Sequence, residues 1–543
     1  MVVPNDSRRT QRKGFAMMIF MNRRRMFRAK ALLALAFAFA AAGCAAQGDS
    51  SEQSAAGSAE GRTAAKTVTL MMHYKSATLD PHNDYLPVRA GIAETLVRLD
   101  SDLTLIGWLA TQWEAVDDTT WTFRIRDGVT FHDGTPLDAA AAKASLERGM
   151  SVSKRLGGLD IASMEADGQT LTIRTTEPNP ALPSELVNPY AAIVSVAAEA
   201  AMGREAFNLQ PIGTGPFRVK RFDPNAELAL ERYEGYWDGP AKLDGAAVRF
   251  NEDGNVRALA LQSGEADIAW ALPAESIETI QSSDRLRVDS NASLRVHLLL
   301  YNQRRPAMKE LAVRKALHLL LDRESAANDI MLGHAAPANG PFHPGLPFGS
   351  DAPAPAHNIE EAKRLLAEAG YTPDANGMLS KAGERLSLEL ITYAARPELP
   401  LIAQLLQSDA AKAGIDIRIR SAEDVDNYLS ENNDWDLATY SNLTAPRGDG
   451  GYFLHAALMP GGPLNVGGID IPELNELVAE LDRENDADGR NRLIRQAVDI
   501  IGREVPHSYA VYPNLITGVN ERVVDWRLGR EEYYILDHRM DVK

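Results

Sequence analysis

The chain has 543 residues, 45% of them hydrophobic and 24% charged, an ordinary globular composition with room for more than one compact unit. Its formal net charge is −17, and the first 43 residues carry nine Lys/Arg and one acid, so the rest holds 48 basic against 73 acidic residues. Such a body does not gather polyanions, which excludes general nucleic-acid binding, and the single cysteine excludes an internal disulfide or a multi-cysteine metal site.

From Met21 the chain reads "MNRRRMFRAKALLALAFAFAAAGCAAQ": a basic head with Arg23, Arg24, Arg25, Arg28 and Lys30, then an apolar run from Ala31 to Ala42. About a dozen apolar residues fall short of the roughly twenty a helix needs to cross a bilayer, so residues 1–44 read as an export signal rather than a span. Ala41-Ala42-Gly43-Cys44 resembles a bacterial lipobox, with Ala in place of the usual Leu three residues before the cysteine. That resemblance implies lipidation of Cys44; the alternative is an ordinary cleavage site with a chance cysteine. Arg24-Arg25-Met26-Phe27 has some twin-arginine character, which leaves the export route open. Residues 45–66 are small and polar without periodicity, a flexible tether spanning about 25–30 Å.

Thr67 to Tyr74 alternates Val68, Leu70, Met72 and Tyr74 against Thr67, Thr69, Met71 and His73, which predicts a strand. Ile92, Leu96 and Leu99 have helical spacing over Ala90–Leu99. "WTFRIRDGVTFHDGTPLDAAAAKASLERG" predicts a strand, turns at Asp127-Gly128 and at His132-Asp133-Gly134, and a helix from about Asp138. Hairpins are predicted with turns at Asp167-Gly168 and at Asp223-Pro224-Asn225. "LRVHLLLYN" and "WDLATYSN" read as strands; "KELAVRKALHLLLDRESAANDIM" and "IEEAKRLLAEAGY" read as amphipathic helices, the second stopped by Gly370. "VPHSYAVYPN", Val505 to Asn514, is a short apolar strand fenced by prolines. The mixture predicts an α/β fold with a mixed sheet.

Six stretches in order carry a family likeness: "AETLVRLDSDLTLIGWLATQWEAVDDTTWTFRIRDGVTFHDGTPLDA", "PIGTGPFRV", "ERYEGYWDG", "GEADIAW", "LAVRKALHLLLDRE" and "EEAKRLLAEAGY". From about Thr67 to Trp526 the chain resembles the family 5 solute-binding proteins of ABC importers, which capture peptides, nickel complexes and related solutes. The resemblance implies a two-lobed periplasmic-binding-protein fold with an extra insert domain and a ligand cleft between the lobes. It implies lobe I from residues 67–99, 208–289 and 506–543, the insert at 100–207 and lobe II at 290–505. It further implies a monomer that hands its ligand to permease and ATPase subunits. The glycines of "PIGTGPFRV" fit a tight turn better than a phosphate loop, and Tyr236 and Trp237 fit packing better than a sugar platform.

Three stretches are similar to the nickel-binding branch of that family: "ITYAARPELP", "YSNLTAPRGDGGYFLHAAL" and "VPHSYAVYPN". A nickel ion held by amino-acid chelators is a compact object bearing carboxylates, which calls for an arginine, aromatic walls and one or two imidazoles. Arg396 is the candidate carboxylate clamp, the alternative being a surface ion pair. His507 and His73 are the candidate metal ligands, each with a core role as the alternative. Tyr440, Arg447, Tyr452 and Met71 could line the pocket or serve the core; His455 reads as packing and His132 as a solvated turn residue. Asp449 points to the other ligand, since in dipeptide-binding relatives an acidic residue on this loop pairs with the peptide amine, and Arg396 with Asp449 would make a peptide clamp. No cofactor is expected beyond the transported ligand. Catalytic signatures such as Gly-x-Ser-x-Gly, His-Glu-x-x-His and a Walker loop are missing from the sequence, so a binding role is expected rather than an enzyme.

Overall fold

The computed structural model of the chain describes residues 65–543 apart from 154, 155, 157 and 158. The expected signal, Cys44 and all but the end of the tether lie outside the described residues. The alternation of Thr67–Met72 forms strand β1, with Val68, Leu70 and Met72 buried. The insert follows, with β2 (Ala110–Asp117), β3 (Thr120–Ile125), helix α1 (Ala139–Val152), β4 (Ile161–Asp167) and β5 (Thr170–Thr175). Asp138 caps α1 by accepting from the Ala141 N–H at 2.8 Å, as its position ahead of the alanine run predicts. The chain then returns through β6 (Phe217–Asp223), β7 (Glu227–Arg232), β8 (Gly245–Phe250), α2 (Gly254–Ser263), β9 (Ile268–Trp270) and β10 (Leu286–Ala292).

The second lobe is built from β11 (Arg295–Tyr301), α3 (Leu311–Leu320), β12 (Ala335–Pro337), α4 (Ile359–Glu368), β13 (Ser387–Thr392), α5 (Glu398–Lys412), β14 (Asp416–Ser421), β15 (Leu437–Leu443) and α6 (Ala487–Glu504). The fourteen-residue β16 (His507–Asn520) closes the set. The ladder runs β14-β13-β15-β11-β16-β9-β1-β8-β7-β6, with β10 and β12 also on β16, and the insert carries a separate sheet β2-β3-β5-β4.

Two strands join the lobes. β16 pairs β11 of lobe II from His507 to Val511, and β10 of lobe I from Asn514 to Asn520. β10 runs almost directly into β11 through Ser293 and Leu294. Ser293 Oγ donates to the Pro513 carbonyl at 2.8 Å, tying the two crossings together. The passage between lobes therefore lies near Tyr512–Asn514, six or so residues beyond the expected boundary at 506. The reason is register: the first half of β16 spends its hydrogen bonds on lobe II.

Each lobe has its own apolar core, Leu70, Phe217, Val248 and Trp270 in lobe I and Leu299, Leu317, Leu390 and Leu406 in lobe II. A third cluster runs from Phe123 and Ile173 of the insert to Leu298, Trp435 and Phe453 of lobe II. Full burial of each such side chain contributes about 1.5–3 kcal/mol.

Two predicted helices differ. Ala90–Leu99 is not helical: a short turn, Leu86–Arg89, ends at Gly91 (φ +65°), and Val97–Leu99 is a strand. The backbone N–H groups of Gly215 and Phe217 bond the carbonyls of Ile92 and Gly91, so this segment runs extended beneath "PIGTGPFRV". A Cβ on Gly213 would collide with the Ile92 carbonyl, so close backbone approach accounts for that glycine. The long helix expected from Lys309 stops at Leu320; Asp322 then caps a separate turn, Arg323–Ser325. Buried Arg323, bonded to the carbonyls of Tyr509 (2.8 Å) and His318 (3.0 Å), fixes that break.

Candidate functional site

A cavity of about 330 Å³ opens between the end of β1, the first turn of α2, the crossing strands and the loop that precedes α5. His73, Arg257, Arg295, Arg396 and Glu398 bring charge and coordination chemistry to it, and Pro513 and Asn514 form its hinge side. His73 stands just past β1 with its ring edge-on to Tyr74 (5.3 Å) and Trp270 (6.1 Å). Its Nδ1 is buried without a hydrogen-bond partner, and the residue is part of the cavity lining. Burial, and then the charges of Arg396, Arg257, Arg89 and Arg295, hold this imidazole well below its ordinary pKa. A neutral ring among guanidiniums can ligate a metal where its protonated form could not.

The three guanidiniums that line the cavity are not equivalent. Arg257 gives its N–H groups to the carbonyls of Trp270 (2.8 Å), Asn251 (2.8 Å) and Ala271. Arg295 grips Glu532 with Nε and Nη2, both at 3.3 Å. Arg396 has no hydrogen-bond acceptor among the described residues; burial and Arg295 lower its pKa while Glu398 and Glu532 raise it. An unpaired guanidinium in a half-buried cleft is a receptor for a carboxylate brought by a ligand.

Glu398 begins α5 two residues beyond Arg396. Burial would raise its pKa, but the hydrogen bond from His297 Nε2 at 2.8 Å and the nearby charges win, and it is pulled down to about 2. The cavity therefore presents an ionised acceptor, an open cation and a neutral imidazole.

Residues 104–462 match the model for bacterial extracellular solute-binding proteins, family 5 Middle. Over 479 residues the chain is 34% identical to the nickel-binding protein NikA of Staphylococcus aureus, covering 88% of this chain and 94% of that protein. The chain belongs to the family 5 extracellular solute-binding proteins. The crystal structure of Staphylococcus aureus NikA in complex with Ni(L-His)2 matches with a TM-score of 0.79 at 33% identity, over 88% of this chain and all of that one. The structure of a nickel ABC transporter from Bacillus halodurans matches at 0.73 and 43% identity, with the same 88% and 100% coverage. Bacillus subtilis AppA, an oligopeptide-binding protein solved with a nonapeptide, has a TM-score of 0.77 but 21% identity over 88% of this chain and 99% of that one, and so shares the fold.

Within this family 5 architecture the expected site residues separate. His73 and Arg396 share the cavity. Tyr440, opposite Leu298 in the sheet, gives its hydroxyl to Asp426 and sits 6.1 Å from Tyr393, outside the cavity lining. Arg447 pairs with Glu185 of the insert and lies 4.1 Å over the Tyr452 ring, so this pair joins lobe II to the insert. Asp449 is occupied by Arg490 at 2.9 Å and by the Gly451 N–H at 2.6 Å, which removes it from the role of peptide-amine partner. Met71, 6% exposed, packs with Ala260 and Ala266 under α2; it is a core residue rather than part of the pocket.

His507 is corrected most. It opens β16 opposite Leu300, is 2% exposed, and stands six extended residues, about 20 Å, from Pro513 at the cavity. Burial pushes it down to about 3, against weak help from the Ala457 and Pro506 carbonyls. It is a neutral core histidine. His132 differs too: it is buried, with Nε2 on the Gly215 carbonyl at 3.0 Å, and latches the insert to the "PIGTGPFRV" turn. His455 pairs with Asp482 at 2.7 Å on the surface. Tyr236 (2.8 Å) and Trp237 (3.1 Å) both donate to buried Glu94, a structural use.

Sequence reasoning missed Arg295, Glu398 and Glu532. Only Glu398 had a signal, its place two residues after Arg396 across Pro397. Among the described residues a separate group of ligand-type atoms, Asp322, His357 and Asp409, lies in lobe II. There His357 bonds Asp409 at 2.9 Å and Lys412 holds its other oxygen at 2.7 Å, so the group reads as an ion-pair network.

Proposed function

We propose that this chain is the extracytoplasmic receptor of an ABC import system, anchored to the membrane through a lipid on Cys44, and that it binds Ni²⁺ as a small amino-acid chelate such as a histidine complex. The observation that carries the reading is the pairing, in one cavity, of neutral His73 with acceptor-free Arg396. His73 would complete the coordination of the metal, Arg396 would take a chelator carboxylate, and Glu398 would accept an N–H from a metal-bound amine. About 330 Å³ holds on the order of ten waters, the scale of a small chelate and not of a long peptide. The 34% and 43% identities to proteins named for nickel support the same choice.

Binding is the whole task in this reading. The ligand favours the closed state by the contacts it makes with both lobes at once, since His73 belongs to lobe I and Arg396 to lobe II. The energy for transport comes from partner subunits.

Calorimetry with Ni²⁺ alone, with Ni²⁺ plus excess L-histidine and with a dipeptide mixture tests the proposal. Tight binding is expected only for nickel with histidine, and His73→Ala should weaken it by about tenfold or more. Tight dipeptide binding with silence toward nickel–histidine would replace this reading by a peptide receptor.

A further inference from the structure

Behind the cavity wall, in the C-terminal segment, Glu532 is 2% exposed and adopts φ +63°, a left-handed conformation that a non-glycine residue holds only when its surroundings impose it. The surroundings are two arginines. Arg295 takes its carboxylate through two N–H donors at 3.3 Å, and Arg89 Nε takes its main-chain carbonyl at 2.8 Å. Arg89 is itself wedged among Tyr74, Tyr85 and Trp270, each ring within 5.2 Å of its guanidinium carbon. The segment is thus clipped to lobe I by its backbone and to the start of β11 by its side chain.

The consequence concerns charge. Burial would raise the Glu532 pKa, but Arg295, Arg396 and Arg89 together hold it below the usual carboxylate range, so it is ionised at neutral pH. Of the three guanidiniums on the cavity wall, carbonyls use Arg257 and Glu532 uses Arg295, which leaves Arg396. We propose that Glu532 is the residue that sets ligand charge: it fills Arg295 from behind, so that the cleft offers one open guanidinium, at Arg396, and disfavours chelates with a net negative charge. Without Glu532 the same wall would offer a second open guanidinium, and polycarboxylate chelates would gain. Glu532 does not line the cavity, so it is a positioning residue and acts through Arg295.

The proposal rests on the chelate reading above, and the experiment separates the two. Glu532→Gln keeps the size and one acceptor for Arg295 while removing the charge. Calorimetry would compare Ni²⁺ in excess L-histidine with Ni²⁺ in excess citrate, on the wild-type chain and the variant. The ratio of the two affinities should move at least tenfold toward citrate in the variant; a ratio unchanged within twofold overturns the proposal and leaves Glu532 a packing residue. Should Glu532→Gln fail to fold, as judged by a missing calorimetric unfolding transition, Arg295→Gln serves instead. It leaves Glu532 uncompensated and should move the ratio the other way, and an unmoved ratio again overturns the proposal. Wild-type silence toward both chelates would sink the nickel reading on its own. The same ratio would then be read with the dipeptides Ala-Ala and Ala-Glu, which differ by one carboxylate, and its constancy would overturn the charge proposal too.

Discussion

His297 Nε2 donates to Glu398 across 2.8 Å, joining the third residue of β11 to the first residue of α5. The histidine is buried and held below its ordinary pKa mainly for that reason, so it acts as a neutral donor. The glutamate faces the cavity with its remaining acceptor sites. Glu398→Gln keeps an oxygen for His297 and removes the charge. The expected outcome is a folded protein whose affinity for nickel–histidine falls by about tenfold, the scale of one hydrogen bond to a charged group. Titration calorimetry at pH 7.5 checks it, and an affinity within twofold of wild type would restrict Glu398 to holding His297.

Arg396 couples function to instability. A half-buried guanidinium without an acceptor is desolvated, and the like charge of Arg295 adds to that cost, which Glu398 and Glu532 offset only in part. Arg396→Met should therefore raise the unfolding midpoint while costing the chelate about tenfold or more in affinity. A lowered midpoint together with unchanged affinity would return Arg396 to a surface ion-pairing role.

The parts of the fold that were legible in the sequence are those decided within a dozen residues. The hairpins at Asp167-Gly168 and Asp223-Pro224-Asn225, the α1 cap at Asp138 and the stop at Gly370 (φ +91°) follow from local turn and cap chemistry. Ala90–Leu99 failed because backbone bonds from Gly215 and Phe217, more than a hundred residues away, hold it extended. In the site, His73 and Arg396 were readable because each lies within four residues of a strand end. Arg295 and Glu532 meet across 237 positions, and no local pattern announces that. His507 was misplaced because β16 keeps lobe II company as far as Val511, a matter of register that the prolines do not reveal.

The lipid anchor is tested without reference to the fold. If the thiol of Cys44 carries the lipid, Cys44→Ser should move the protein from the membrane fraction to the soluble fraction, because the roughly dozen-residue apolar run ahead of it is too short to hold the chain by spanning. Fractionation followed by immunoblotting reads the outcome, and persistence in the membrane would return residues 41–44 to an ordinary sequence.

Acid should destabilise the folded chain through its buried histidines. Burial is the largest influence on all four of these rings: His82 and His132 are pushed down to about 4, and His318 and His507 to about 3. In the unfolded chain each takes up a proton near pH 6.5, so below that pH the unfolded state binds more protons than the folded one. Stability contributed by the neutral rings is complete above pH 6.5 and is lost as the pH falls toward the folded values, at about 2 kcal/mol for each ring by pH 5. The calorimetric midpoint should accordingly fall between pH 7.5 and pH 5, by less than the four rings alone would give, because burial lifts the Glu94 and Glu531 carboxyls to about 7 and these gain stability as the pH falls. His507→Leu replaces a buried imidazole that makes no well-formed hydrogen bond with an apolar side chain. It should keep or raise the midpoint at pH 7.5, shrink the drop toward pH 5, and leave the affinity for nickel–histidine unchanged, since the ring lies about 20 Å along β16 from the cavity. Loss of affinity in that variant would restore His507 as a ligand-binding residue, and an undiminished acid drop would remove it from the set of rings that set the pH response.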